Sequence, residues 1–179
     1  MLIPGSGMFF SDRLSNCPIF SLNSAEIFDP STGMFTSTGP LNIGRFGHSA
    51  TLLPDGRVMI LGGTTTEDIG PTQQVQTGEV YDPVTGEFHF LGYTALGRGL
   101  HALAQLNNGR YLLIGGYNQN DSPTGTTEIF DAVARAATPV PDMNDWRIRA
   151  AAVRLSSGEI LIVGGNNSGG PVAPVDLLD

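Results

Sequence analysis

Short apolar runs recur along this chain, each closed by glycine and set apart by stretches rich in Thr, Asn, Asp and Pro. Residues 58–61, 111–114 and 160–163 each lead into a glycine pair, at Gly62-Gly63, Gly115-Gly116 and Gly164-Gly165. Ahead of each lies another strand-like run, at 48–53, 100–106 and 150–155. Between the two runs sits Asp55-Gly56, Asn108-Gly109 or Ser157-Gly158. Asp-Gly and Asn-Gly suit a tight hairpin, because both central residues take positive φ there. The pattern predicts pairs of short antiparallel strands and almost no helix.

A further motif keeps the same spacing. Glu26-Ile27-Phe28-Asp29 returns as Glu79-Val80-Tyr81-Asp82, as Glu128-Ile129-Phe130-Asp131 and, degenerate, as Asp176-Leu177-Leu178-Asp179, at offsets of 53, 49 and 48 residues. An arginine stands seventeen residues before each glycine pair, at Arg45, Arg98 and Arg147. Each copy reads as four strands, with a long polar loop after the second (64–76, 117–125 and 166–174) and the Glu-Ile-Phe-Asp motif as the third. Asp29-Pro30-Ser31-Thr32-Gly33 and Asp82-Pro83-Val84-Thr85-Gly86 make the next turn, with Pro presetting φ and Gly free to take the left-handed position. The fourth strand carries Phe35 or Phe88. The third copy departs from this pattern: Ala132-Val133-Ala134-Arg135 lacks the Pro and Gly, and Ala137 stands where the phenylalanines do. Its outer strand is expected to pack less well.

A period near 50 residues with four strands per unit is that of a propeller blade, longer than WD40. The glycine pairs, the aromatic in the third strand and the stretch from Arg45 to Gly63 resemble kelch repeats of the bacterial and galactose-oxidase-like kind. The resemblance implies an all-β, kelch-type β-propeller. It is expected to be incomplete, about three and a half blades of four-stranded antiparallel sheet in a single domain. The expected divisions are a partial blade at 1–40, blades at 41–92 and 93–141, and a partial blade at 142–179. Residues 1–7 read as a second strand, so the ring is expected to need further blades or a second chain to close.

Composition narrows function without naming it. Nine basic against seventeen acidic residues give a net charge of −8. A phosphate backbone calls for a clustered basic face, so nucleic acid is not an expected partner. No apolar run approaches the roughly 18 residues of a membrane span. The first residues lack the basic and apolar regions of a signal peptide, although the resemblance leans toward an extracellular or cell-surface setting. Cys17 stands alone, so no intrachain disulfide forms. Asn120-Asp121-Ser122 and Asn166-Asn167-Ser168 fit the glycosylation sequon, which matters only in a secreted eukaryotic protein.

Candidate site residues come from the repeat. The resemblance implies a partner-binding face built from the loops leading into the inner strands and the loops after the glycine pairs. Arg45, Arg98 and Arg147 are expected at its mouth, where guanidinium groups suit a carboxylate or acidic peptide. The competing reading has them bonding loop carbonyls. His48 and His101 begin equivalent inner strands and read either as binding residues or as packed histidines. The Glu and Asp of the third-strand motif read as structural. No catalytic residue, metal site or cofactor is called for. The reading is a non-catalytic binding or scaffolding module for a protein or carbohydrate. The alternative is a fragment of a galactose-oxidase-like or sugar-processing kelch enzyme whose active site lies mostly elsewhere.

Overall fold

The computed structural model describes residues 2–4, 20–66, 72–167, 170–171 and 176–178, with 2–4, 170–171 and 176–178 described by their backbone. Cys17, Gly5 to Gly7 and part of the first long loop therefore lie outside the described residues. The fold is all-β, with no helix among the described residues.

Strands β1 (Leu2–Pro4), β2 (Ala25–Asp29) and β3 (Met34–Ser37) form a three-stranded antiparallel sheet. The second unit contains β4 (Ser49–Leu52), β5 (Val58–Leu61), the two-residue strands β6 (Thr64–Thr65) and β7 (Gln73–Gln74), β8 (Thr77–Asp82) and β9 (Glu87–Tyr93). The third contains β10 (Ala102–Gln105), β11 (Arg110–Ile114), β12 (Thr127–Asp131) and β13 (Ala136–Val140). The last contains β14 (Ala151–Arg154), β15 (Ile160–Val163), the short β16 (Asn166–Asn167) and β17 (Gly170–Pro171), and β18 (Asp176–Leu178). β4-β5-β8-β9 and β10-β11-β12-β13 are each antiparallel meanders. A single parallel bridge, Ala136 to Tyr93, joins them into one eight-stranded sheet.

The central strands explain the unbroken apolar runs. Side chains alternate between the faces of a strand, and here both faces are covered. From β5, Met59 and Leu61 point into one cluster with Leu113 and Phe130, while Ile60 points into another with Tyr81 and Phe88. β11 repeats this: Tyr111 and Leu113 face the second unit, and Leu112 and Ile114 face Ile160 and Ile162 of the last. The units are thus stacked face to face with apolar layers between them.

The expected aromatic positions recur in register. Phe28 pairs with Phe35, Tyr81 with Phe88 and Phe130 with Ala137. The two aromatic pairs have ring centroids 4.9 Å apart. Burial is unequal, however. Tyr81 and Phe130 are buried, whereas Phe28 is half-buried and Phe35 is exposed in the first sheet. The strands predicted at 58–61 and 160–163 occur with those bounds. The short hairpin pairs β6-β7 and β16-β17 arise inside segments expected to be plain loops.

The glycine pairs are required by a close approach between chain segments. Gly63, Gly116 and Gly165 have φ of 102°, 95° and 91°. A Cβ on them would lie 3.0, 2.6 and 2.7 Å from the carbonyl oxygens of Phe46, Gly99 and Ile148. Side chains are excluded there on both conformational and steric grounds.

Candidate binding face

The three repeated arginines sit just ahead of β4, β10 and β14, the first strand of each of these units, but they are not at the surface. Arg45, Arg98 and Arg147 are 0, 1 and 1 % exposed. Arg45 Nη1 donates to the carbonyls of Gly62 (2.8 Å) and Thr77 (2.9 Å), and Nη2 donates to Glu79 Oε1 at 2.6 Å. Arg98 does the same with Gly115 O (2.9 Å), Thr126 O (2.9 Å) and, through Nε, Glu128 Oε1 (3.0 Å). Arg147 Nη1 donates to Gly164 O at 3.3 Å. The expected ring of exposed guanidinium groups for an anion is therefore corrected. Arg45 and Arg98 tie the turn after the second strand to the third strand and have no face left for a ligand, and Arg147 is buried against the matching turn at Gly164. Burial pulls the Arg45 and Arg98 guanidinium groups down from their usual range, and the glutamates oppose it.

Their backbones serve the same frame. The N–H groups of Gly63 and Gly116 donate to the carbonyls of Arg98 and Arg147, each in the next unit, at 2.8 and 3.0 Å. The glutamates have a more specific role than the turn chemistry suggested. Glu79 and Glu128 are the buried counter-ions of Arg45 and Arg98. The turn itself belongs to the aspartates: Asp29, Asp82 and Asp131 each accept, through Oδ1, the N–H two residues on at 2.8 Å.

His48 and His101 are also part of the packing. His101 is 8 % exposed, and its Nε2 lies 2.9 Å from Ser49 Oγ across the boundary between units. His48 is half-buried. Burial, reinforced by Arg45 and Arg98 nearby, holds their pKa values down, to about 4 for His48 and about 3 for His101. Both are neutral near pH 7, and His101 cannot reach a partner in solution.

Above this frame the residues differ from unit to unit. Phe46, Leu100 and Tyr117 wall a cleft of about 300 Å3 that Thr72, Gln74 and Asp121 also line. Thr64 Oγ1 donates to Gln74 Oε1 (2.8 Å), Gln74 Nε2 to Asp121 Oδ1 (2.8 Å) and Thr72 Oγ1 to Asp121 Oδ2 (2.7 Å). The polar chain joins the long loops of two units. Beside it, Leu100 N–H donates to Gly47 O and Arg149 N–H to Leu100 O, both at 2.8 Å. These three equivalent residues all have φ between 56° and 61°. Leu100 and Arg149 thus accept a left-handed backbone that disfavours side chains, a kind of strain that gathers at functional surfaces. The exposed arginine of this face is Arg149, two residues beyond the buried Arg147.

No protein-family model matches the chain. Over 162 residues, 86% of this chain, it is 30% identical to tRNA wybutosine-synthesizing protein 4 of Saccharomyces cerevisiae. The match spans 23% of the yeast protein, so the chain corresponds to about a quarter of that relative's length. No helix among the described residues is long and apolar enough to cross a membrane.

The cleft residues were not among the sequence candidates. Their signal was negative: Phe46, Gln74, Tyr117 and Asp121 fall in or beside segments whose length and composition change between repeats, whereas the repeated residues serve the frame.

Proposed function

We propose that the four units are successive blades of a kelch-type β-propeller, and that the chain is a non-catalytic binding module. Its loop face would take a protein or carbohydrate partner. The blade reading is supported by the apolar layers between every successive pair of units and by the motifs that stay in phase. One contrast carries the binding reading. The repeated polar residues Arg45, Glu79, Arg98 and Glu128 are buried, while unrepeated residues line the cleft between neighbouring loops. Rigid frames with variable loops are where binding residues concentrate. Phe46 and Tyr117 supply ring faces, and Thr72, Gln74 and Asp121 supply the convergent polar groups that fix a ligand's orientation.

The test is a glycan array and a displayed-peptide library probed with wild type and with Tyr117→Ala. The expected result is one ligand class whose capture drops about tenfold or more in the variant, with an unchanged melting temperature. No capture from either library, or capture indifferent to Tyr117, would reject this face.

A second reading rests on the yeast relative, whose name ties it to wybutosine synthesis in tRNA. This chain would then be a segment of a tRNA-modifying protein. Phosphate contacts need available Lys and Arg. With a net charge of −8 and Arg45, Arg98 and Arg147 buried, such a segment would serve protein contacts, leaving tRNA binding to other parts. A gel shift with tRNA at physiological salt tests that division: no retention is expected, and retention would mean that this segment contacts tRNA directly.

A further inference from the structure

A second cleft, of about 510 Å3, lies at the opposite ends of the strands, where hairpin turns of the second and third units meet. Its floor is apolar. Leu53 and Leu91 belong to the buried cluster between the units, and Ala132 and Val133 complete the lining.

Three charged side chains line this cleft: Asp55, Arg57 and Arg135. The first two cancel, because Arg57 donates to Asp55 Oδ2 through Nε at 2.9 Å and Nη2 at 2.6 Å. Arg135 is exposed, and its guanidinium makes no ion pair or hydrogen bond among the described residues. Asp82 also acts on Arg57, so among the charged side chains lining the cleft Arg135 is the one left without a paired carboxylate.

The placement of that charge goes against local preference. Arg135 has φ of 58° and closes the turn after the third strand, where Gly33 and Gly86 stand at 71° and 75°. Glycine takes this conformation freely and an L side chain does not. The turn nonetheless holds its shape: Asp131 Oδ1 accepts the N–H groups of Val133 (2.8 Å) and Ala134 (2.9 Å), and Arg135 N–H donates to Asp131 O at 2.8 Å. Outliers of this kind are grounds for a functional hypothesis.

A second, independent observation concerns Tyr111, which packs with Leu53 and Leu91. It is fully buried, and its hydroxyl has no hydrogen-bond partner among the described residues. Burial and the Asp55 carboxylate, which itself lines the cleft, both raise its pKa. The phenol is thus a buried hydroxyl without a hydrogen-bond partner, packed in the same cluster as Leu53 and Leu91 of the cleft floor. Buried polar groups left unpaired call for an explanation.

We propose that this cleft binds a small organic monoanion, a carboxylate carried on an apolar ring or short chain. The Arg135 guanidinium takes the carboxylate in its planar fork. Leu53, Leu91 and Val133 cover the apolar body.

The probe is benzoate, titrated into the full chain and followed by amide chemical shifts and calorimetry, with benzamide as the neutral isostere. Saturable benzoate binding is expected, mapped to residues 53–57 and 132–135. Benzamide and Arg135→Gln should each bind about tenfold or more weakly, the loss of a charge-assisted hydrogen bond. Arg135→Gly should lose binding while melting no lower than wild type, which separates ligand loss from misfolding. Absence of saturable binding at millimolar benzoate, or equal affinity in Arg135→Gln or for benzamide, would overturn the proposal.

Discussion

Arg98 and Glu128 meet at 3.0 Å, both side chains 1 % exposed, thirty residues apart in the chain. Arg45 and Glu79 repeat the relation one unit earlier at 2.6 Å. In each case the segment leading into β4 or β10 is locked to β8 or β12. The spare carboxylate oxygen is also used: Glu128 Oε2 accepts from Ala95 N–H at 2.6 Å, and Glu79 Oε2 from Asn42 N–H at 2.8 Å. A buried pair of this kind is costly to halve, because the remaining charge stays in a low dielectric.

Arg98→Ala and Glu128→Ala are therefore each expected to cost about 3–5 kcal/mol. The double variant should cost much less than their sum, since it leaves no orphaned charge. Urea unfolding of the four proteins gives the cycle. Additive losses would mean the pair is not coupled.

Acid should unfold the protein through His48 and His101. The folded-state values of His48 and His101, about 4 and about 3, lie below the ordinary 6.5. The unfolded chain therefore binds protons first. The stabilisation is full above about pH 6.5 and is lost as pH falls toward the folded values, by up to about 1.4 kcal/mol per pH unit for each histidine. Around His101 stand Arg98 and His48, both opposing its protonation. His101→Gln should unfold with a shallower dependence between pH 6 and pH 4, roughly one proton fewer. An unchanged slope would show that His101 is not kept neutral by folding.

The strands were legible because their signals are local. Val58–Leu61 is apolar at every position and ends in glycine, so its limits could be read directly, and the phase of Phe28, Tyr81 and Phe130 gave the register. The arginines were less legible. A long charged side chain in a loop suggests exposure, and the burial of Arg45 depends on Glu79 across a loop of uneven length. The interval is 34 residues in one unit and 30 in the next, and nothing local marks the two as partners. The left-handed Leu100 and Arg149 were invisible for a similar reason: the bonds that impose their φ run between units. The cleft at Phe46, Tyr117 and Asp121 forms only when two loops meet, and neither loop carries a motif.

The loop bridge should be separable from the frame. Asp121 is exposed and holds Thr72 and Gln74 by two hydrogen bonds of 2.7 and 2.8 Å. Its φ of 51° suits Asn as well as Asp. Asp121→Asn is expected to change global stability by less than about 1 kcal/mol. Amide exchange at Thr72 and Gln74 should nonetheless quicken several-fold while exchange in β5 and β11 stays unchanged. Equal protection at Thr72 and Gln74 would show that the carboxylate does not order the loop.

The last unit offers a cavity to fill. Tyr111 and Ile160 stand four residues ahead of their glycine pairs, so they occupy equivalent places on β11 and β15. Tyr111 packs against Leu53, Met59, Val80 and Leu91. Ile160 is smaller, and a cavity of about 400 Å3 lies between it and Leu106, Leu112, Ile129 and Val140. Phenylalanine is the better filler than tyrosine, because the Tyr111 hydroxyl already lacks a partner. A second orphaned hydroxyl would cost about 1–3 kcal/mol. Ile160→Phe is expected to stabilise the fold by about 1 kcal/mol, a rise of roughly 2–4 °C in melting temperature for a chain of this size. Ile160→Ala should do the opposite, costing about 2–5 kcal/mol as the cavity grows. Thermal unfolding of both variants decides the matter. If the alanine variant loses stability as expected while the phenylalanine variant also loses it, the slot beside Ile160 cannot take a ring, and Tyr111 and Ile160 are equivalent in sequence phase alone.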